Sequence, residues 1–373
     1  MKAPERLSYA EIDLAAFRWN FTQIQKLVEP ARIAAVVKAN AYGHGIGEVS
    51  RESLNLGAAC LCVAFVQEGL YLRAEGFECP VLVFIPPGQD EIEAAVEHDL
   101  ELTPDSYEKA RQISETAQTL NRKALIQVNI DTGMHRTGVH WEHAAEELNK
   151  MYELPHVEIK GVYTHFATAD WADLNFSSEQ LRRFRSVLEK LLFDVQSTHA
   201  ANSGAILQAG DAYFNMVRPG ISLYGHYPSQ YCRRTLKLRP VMTLKSYVMH
   251  LREYRAKERF SYSLTYCIEK DTVIATVPVG YADGVNRLLS NSGSVLIRGR
   301  EFPVVAVVSM DSILVDVGEG SGITEGDEVV LLGKQGAGEI KMQSWCEKLQ
   351  TIPYEVTCNI SDRMPRRYVN GSV

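Results

Sequence analysis

Lys38 lies in the run Val36-Val37-Lys38-Ala39-Asn40-Ala41-Tyr42-Gly43-His44-Gly45, directly after a short apolar segment that reads as a strand. A lysine at a strand end, on a desolvated floor among other cations, has its pKa pushed down and can serve as an amine nucleophile or a general base. Four more segments place polar groups just after apolar runs: Asp131-Thr132-Gly133-Met134-His135-Arg136-Thr137-Gly138, Thr164-His165-Phe166, Ala201-Asn202-Ser203-Gly204 and Arg218-Pro219-Gly220-Ile221. Two arginines, a histidine and a lysine on one face suit an anionic, electron-poor ligand. Ser203-Gly204 and Gly220-Ile221 follow the seventh and eighth apolar runs, where barrels commonly bind phosphate through backbone N–H groups and a short helix N-terminus. A phosphate-bearing cofactor with an aldehyde for Lys38 satisfies all five segments together.

Taken one at a time, each residue has a plainer use. Lys38 suits a side chain snorkelling off a strand end, His165 a satisfied core histidine, and Arg136 a surface cation. Their recurrence at five matching strand ends sets them apart. A metal hydrolase is disfavoured, since no His-x-His follows the first strand and His44 stands alone among glycines. Gly43-x-Gly45-x-Gly47, Gly318-x-Gly320-x-Gly322 and Gly336-x-Gly338 lack the spacing of a dinucleotide fingerprint and read as turn glycines.

These segments need a scaffold that presents strand ends on one face, and the chain has its pattern. Short apolar runs alternate with amphipathic helical stretches: Arg32 to Val37, Cys60 to Ala64, Pro80 to Ile85, Leu100 to Leu102, Leu125 to Asn129, Val157 to Tyr163, Gln196 to Ala200 and Met216 to Arg218. Helices are expected between them, among them Val66 to Glu75, Ser106 to Leu120 and Ser178 to Leu192. Eight βα units predict a TIM (β/α)8 barrel over 14–234, with its active site at the carboxyl ends of the strands. From Thr235 the texture changes to β-branched runs and Gly or Asp turns: Val273 to Val279, Ser294 to Ile297, Val304 to Val308, Ile313 to Val317 and Glu328 to Leu332. This predicts a mostly β domain over 235–373, completed by a strand at Ser8 to Ile12 from residues 1–13. At 373 residues the chain exceeds what one core normally serves, in keeping with two domains.

A net charge of −7 argues against nucleic acid or anionic lipid as partner and leaves a small molecule. No apolar run approaches the roughly 18 residues of a membrane span, and Met1 to Leu14 lacks a secretory apolar region, so a cytoplasmic location is expected. Seven scattered cysteines read as reduced thiols, not a disulfide framework.

Ala35 through Gly45 resembles the cofactor-lysine motif of the alanine racemases. The resemblance extends through Asp131-Thr132-Gly133-Met134 with Arg136, His165, Asn202-Ser203, and Arg218 to Ile221 with Leu223-Tyr224-Gly225. It continues in Gly280-Tyr281-Ala282-Asp283-Gly284, Met310-Asp311, and Tyr354-Glu355 with Arg363, Pro365 and Arg366, so it spans nearly the whole chain. It implies a pyridoxal 5'-phosphate enzyme of fold type III that interconverts L- and D-alanine, supplying D-alanine for cell-wall peptidoglycan. Lys38 would carry the cofactor, and Tyr262 would be the second base, reaching the site from the partner of a head-to-tail homodimer. Tyr42, Ser203, Gly220, Ile221 and Tyr354 would hold the phosphate. Arg218 would meet the pyridine nitrogen, His165 would hold Arg218 and stack near the ring, and Arg136 would bond the phenolate oxygen and the substrate. Asn202 belongs to the same cofactor set, while Tyr281 and Met310 would line the substrate entrance.

Four positions depart from the family pattern. Asn129 stands where many members have a carbamylated lysine, which raises the expectation of a chloride near Asn129. Ser263 replaces a glycine, Ser309 often is cysteine, and Phe84 stands where an aliphatic side chain is common. The nearest alternative is a broad-specificity or serine racemase of the same fold; a decarboxylase is disfavoured by Arg218 where an acidic partner of the ring nitrogen would stand.

Overall fold

The computed structural model describes residues 6–371. They divide into two compact units, Arg18–Arg239, and 6–17 together with 240–371. After strand β1 (Tyr9–Asp13) come β2 (Arg32–Val36), β3 (Cys60–Val63), β4 (Val81–Val83), β5 (Glu101–Leu102) and β6 (Ala124–Asp131). They are followed by β7 (Val139–His140), β8 (Val157–Tyr163), β9 (Ser197–His199) and β10 (Met216–Val217).

In the Arg18–Arg239 unit β2 to β6 pair in sequence order, all parallel, and β6 continues to β8, β9 and β10. β10 pairs with β2, so an eight-stranded parallel barrel closes, with β7 a short addition on β6. These are the eight expected strands. A closed barrel buries its strands on both faces, which is why Cys60–Val63 and Val81–Val83 read as unbroken apolar runs. Glu101, Gln127, Asn129 and His199 interrupt that pattern with buried polar side chains.

The helix after β8 differs from expectation. It runs Asn175–Leu188, not from Ser178, because Asp173 Oδ1 accepts from Asn175 N at 2.8 Å and starts the turn earlier. Ser178 is already inside, its N–H donating to the Leu174 carbonyl at 2.9 Å. The helix over Tyr107–Thr119 begins as expected, with Ser106 Oγ accepting from Lys109 N at 3.2 Å.

In the other unit β1 lies between Met242–Tyr247, antiparallel, and Arg366–Val369, parallel, with Tyr9 opposite Lys245 and Ala10 opposite Arg366. The sheet continues through Glu328–Gln335, Ser294–Ile297, Arg300–Val305, Ile313–Asp316, Thr272–Val277 and His250–Tyr254. The strand expected at Val304 to Val308 occupies Arg300–Val305 instead. Side chains take the next backbone donors: Ala306 N donates to Asn291 Oδ1 at 2.6 Å and Val308 N to Ser290 Oγ at 3.0 Å, so no ladder partner is left for them. Among the described residues no helix is long and apolar enough to cross a membrane, and no group of three or more His, Cys, Asp or Glu could hold a metal ion.

His226 follows β10 with its ring buried and Nε2 unpartnered. Burial holds its pKa down at about 4, against an ordinary 6.5. As pH falls through that window the unfolded chain takes up a proton that the folded chain refuses, so the stability present above pH 6.5 is lost. The loss from this group is about 3 kcal/mol. Chemical denaturation across the window is expected to show a steep pH dependence in the wild type and a shallower one in His226→Gln; equal slopes would contradict the assignment.

Candidate active site

Lys38 follows β2 after a single residue and opens a turn that few sequences adopt. Ala39, Asn40, Ala41 and Tyr42 all lie in the left-handed region, with φ from 52° to 53°. Each such residue costs about 1 to 2 kcal/mol relative to the right-handed form, so the surroundings must hold the turn. Glu68 does so at its start: Oε1 accepts from Ala39 N at 2.6 Å, while Oε2 accepts from Ala64 N at 2.7 Å and Phe65 N at 3.2 Å. Asn40 Oδ1 accepts from Ile46 N at 2.8 Å, and His44 Nδ1 lies 3.0 Å from the Ala41 carbonyl and 2.9 Å from that of Tyr42. The rings of Tyr42 and His44 pack on Tyr224, 4.9 Å and 4.5 Å between centroids, and Tyr224 donates its hydroxyl to the Val36 carbonyl at 2.8 Å. Lys38 Nζ lies 5.9 Å from the ring of Phe84, the aromatic departure noted above.

Arg218, just after β10, is buried with no carboxylate partner among the described residues. Its Nη1 donates to His199 Nδ1 at 2.6 Å and to the His199 carbonyl at 3.1 Å. Nη2 donates to the carbonyls of Thr164 at 2.6 Å and Ala200 at 3.2 Å. Desolvation pushes its pKa down to about 10. The residue that holds Arg218 is therefore His199, not His165. His199 points from the last residue of β9 into the barrel, where its ring stacks on Tyr163 at 5.0 Å and 7°. His165, on the loop after β8, instead accepts a long hydrogen bond of 3.4 Å from Asn202 Nδ2. Burial, then the charges of Arg218, Arg136 and Lys38, hold the His165 imidazole well below its usual pKa, so it is neutral. The charges of all three act on this ring, and each of the three follows the carboxyl end of a parallel barrel strand, β2, β6 or β10, which puts them on one face.

Beside this mouth the loops after β9 and β10 interlock. Ser203 Oγ accepts from Gly220 N at 2.9 Å and Ser222 N at 3.3 Å, and lies 3.0 Å from Ser222 Oγ. Asn202 Oδ1 accepts from Ala205 N at 3.1 Å, and Ile221 is fully buried in the turn. Gly220 leaves open what a side chain would fill, since a Cβ there would lie 2.6 Å from Tyr42 Oη. Small residues, hydroxyls and backbone donors beside the charges of Lys38, Arg136 and Arg218 fit the phosphate and electron-poor ring of pyridoxal 5'-phosphate. Residues 42, 202, 203, 220 and 221 would hold the phosphate side, Lys38 the aldehyde and Arg218 the ring.

Arg136 is exposed in the loop between β6 and β7. Gly138, at φ 106°, lets that loop close on Asn129: a Cβ would fall 2.6 Å from the Asn129 carbonyl oxygen. Asn129 Nδ2 donates to the Thr137 carbonyl at 3.0 Å and to Thr137 Oγ1 at 3.4 Å, leaving buried Oδ1 unpartnered among the described residues. Asn129 thus offers an acceptor and no spare donor, so an anion beside it would depend on other residues.

The remaining expected residues belong to the unit containing 240–371. Tyr262 is 69% exposed in a short turn flanked by Ser261 and Ser263, both at φ 60°, a conformation that explains the glycine usual at 263. Tyr281 and Met310 are neighbours: Tyr281 N donates to the Ser309 carbonyl at 3.0 Å and Ala282 N to that of Met310 at 3.1 Å. Gly280 permits this approach, a Cβ there falling 2.3 Å from the Ser309 oxygen. Asp283, bound by Arg6 and near Arg363, accepts from Gly280 N at 2.9 Å and fixes the loop. Tyr354 lies in the helix Pro353–Cys358. His199, Gln127, Glu101, Glu68 and Ser222 were not anticipated as parts of the site. A polar residue inside an apolar barrel strand was the available signal for the first three.

An eight-stranded barrel with a strand-end lysine, a mouth of arginines and a cradle of small residues defines the class of pyridoxal-phosphate barrel enzymes. The chain matches the family models "Alanine racemase, N-terminal domain" over residues 12–228 and "Alanine racemase, C-terminal domain" over 241–368. It belongs to the alanine racemase family, which is pyridoxal-phosphate-dependent. It is 40% identical to alanine racemase 2 of Caldanaerobacter subterraneus, covering 98% of this chain and 95% of that one. It is 41% identical to an alanine racemase of Methanococcus maripaludis, covering 97% and 98%. Among solved structures, an alanine racemase of Clostridium difficile superposes with a TM-score of 0.94 at 37% identity, covering 99% and 96% of the two chains. A histidine racemase of Leuconostoc mesenteroides superposes at 0.93 with 25% identity, covering 99% of each.

Tyr224→Phe removes the hydroxyl that ties the lysine turn to β2. It is expected to cost about 1 to 2 kcal/mol of stability and to weaken pyridoxal phosphate binding, measured by denaturation and by titration of the cofactor's visible absorption. Unchanged stability and affinity would mean the turn is held without it.

Proposed function

We propose that this protein is an alanine racemase in which Lys38 and Tyr262 of the partner subunit exchange the α-proton on opposite faces of the substrate, making D-alanine for peptidoglycan. The observation that carries this reading is the gathering of Lys38, Arg136, His165 and Arg218 around one barrel mouth beside a phosphate-sized cradle. Pyridoxal phosphate, when bound, supplies a ring that withdraws electrons from the α-carbon of an attached amino acid and acidifies its hydrogen. Lys38 takes the proton from one face and Tyr262 of the partner subunit returns one to the other, so the amino acid leaves with inverted configuration and no atom gained or lost. Arg218, which keeps its own proton, would donate to the ring nitrogen and would leave the ring a weak electron sink, favouring return of the proton to the α-carbon.

Arg136 orients the substrate carboxylate, and neutral His165 lies flat against the ring. Tyr281 and Met310, adjacent and half exposed, line a narrow entrance that admits a methyl side chain. A head-to-tail homodimer follows from the same reading, because a base on an exposed turn needs a second chain's mouth to act on. The seven free thiols suit a reducing cytoplasm.

The test is α-proton exchange in D2O on L-alanine and L-serine, with the product's chirality scored. Racemic deuterated alanine is expected to form much faster than serine; comparable rates would favour a broad-specificity racemase, and no exchange despite bound cofactor would overturn the function. Tyr262→Phe is expected to lower turnover by about 10²-fold or more, and retained turnover would refute the two-base assignment.

A further inference from the structure

Four polar side chains from successive parts of the barrel are joined end to end. The Glu101 carboxylate on β5 accepts from Gln127 Nε2 on β6. Gln127 Oε1 lies 2.6 Å from His199 Nε2 on β9, and His199 Nδ1 lies 2.6 Å from Arg218 Nη1. All four are buried. The guanidinium end, which only donates, fixes the direction of the bonds, and the Glu101 carboxylate, its pKa raised by burial, closes the chain as acceptor of the Gln127 N–H. Gln127 must turn its amide nitrogen to Glu101 and its oxygen to His199. His199 must then hold its proton on Nε2 and present a lone pair at Nδ1 to Arg218. The opposite arrangement sets one N–H against another at the Arg218 joint.

Other contacts remove the alternatives to this choice. The His199 ring plane is held by its stack on Tyr163. Gly161 clears the path of the Gln127 amide: a Cβ at that position would lie 2.5 Å from Oε1 and 2.9 Å from the Ser197 carbonyl oxygen. What remains free at His199 is which nitrogen carries the proton, and Gln127 on one side and Arg218 on the other both favour Nε2.

We propose that Glu101 and Gln127 are positioning residues that select the Nε2-protonated tautomer of His199 and, through it, the direction in which Arg218 donates. The proposal rests on the reading that Arg218 meets the cofactor ring. The chain orients Arg218 without pairing it directly to a carboxylate, so its charge stays available to the ligand.

The test is the imidazole ¹⁵N spectrum of the pyridoxal-phosphate-loaded protein, wild type and Glu101→Gln, with cofactor affinity measured in parallel. Wild-type His199 is expected to be a single Nε2-protonated species. In Glu101→Gln the end group can donate or accept and only Arg218 still favours the Nε2 proton, so a minor second tautomer is expected to appear, and cofactor affinity falls about tenfold, the worth of one net hydrogen bond. A single unchanged tautomer with unchanged affinity in a folded variant would overturn the proposal. If Glu101→Gln fails to fold, the wild-type spectrum decides alone: Nδ1-protonated or doubly protonated His199 overturns it. Neither readout needs turnover, so absence of racemisation would defeat the function while leaving this tautomer assignment standing.

Discussion

A guanidinium buried without a carboxylate is the constraint around which this barrel is arranged. Removing Arg218 from water is expensive, and an ion pair would be the usual compensation. Here the compensation is a neutral imidazole and three backbone carbonyls, and desolvation still lowers its pKa to about 10. The carbonyls come from Thr164, His199 and Ala200, at the ends of β8 and β9, so only a closed barrel with these strands adjacent can assemble them. Arg218 and its neighbour Arg136 keep charge in reserve. A bound anion answers it, and the interlocked loops of Ser203 and Gly220 place the phosphate site beside them.

The lysine answers to a second constraint, the left-handed turn from Ala39 to Tyr42. Four residues in a disfavoured region would unwind on their own. They persist because their polar groups are engaged by Glu68, Ile46 and His44, and because the Tyr42 and His44 rings pack on one buried tyrosine. The same Tyr42 hydroxyl reaches the space over Gly220. Lysine turn and phosphate cradle are thus one packed unit, and a cofactor bound at one is in reach of the other.

Much of this was legible in the chain because barrel strands carry their burial in plain apolar runs, and because strand-end residues announce themselves by type. Less visible was everything that depends on where a strand's inner face points. The resemblance makes His165 the partner of Arg218, yet His199, the last residue of the strand Ser197–His199, has the geometry. Gln127 and Glu101 read as ordinary members of short strands until pairing brought β5, β6 and β9 together. The left-handed turn gave no signal either: alanines and a tyrosine do not mark such a conformation as glycines do. Ser178 and Val304 to Val308 failed for a local reason, side chains of Asp173, Asn291 and Ser290 capturing backbone donors ahead of the regular elements.

The claim on which the rest turns is that the barrel mouth is built to hold pyridoxal phosphate on Lys38. Borohydride trapping of the cofactor-loaded protein, followed by peptide mapping, addresses it most directly. The account predicts one tagged residue, Lys38, and loss of the tag when inorganic phosphate competes at high concentration. A tag on any other lysine, or none on a folded protein saturated with pyridoxal phosphate, would contradict it.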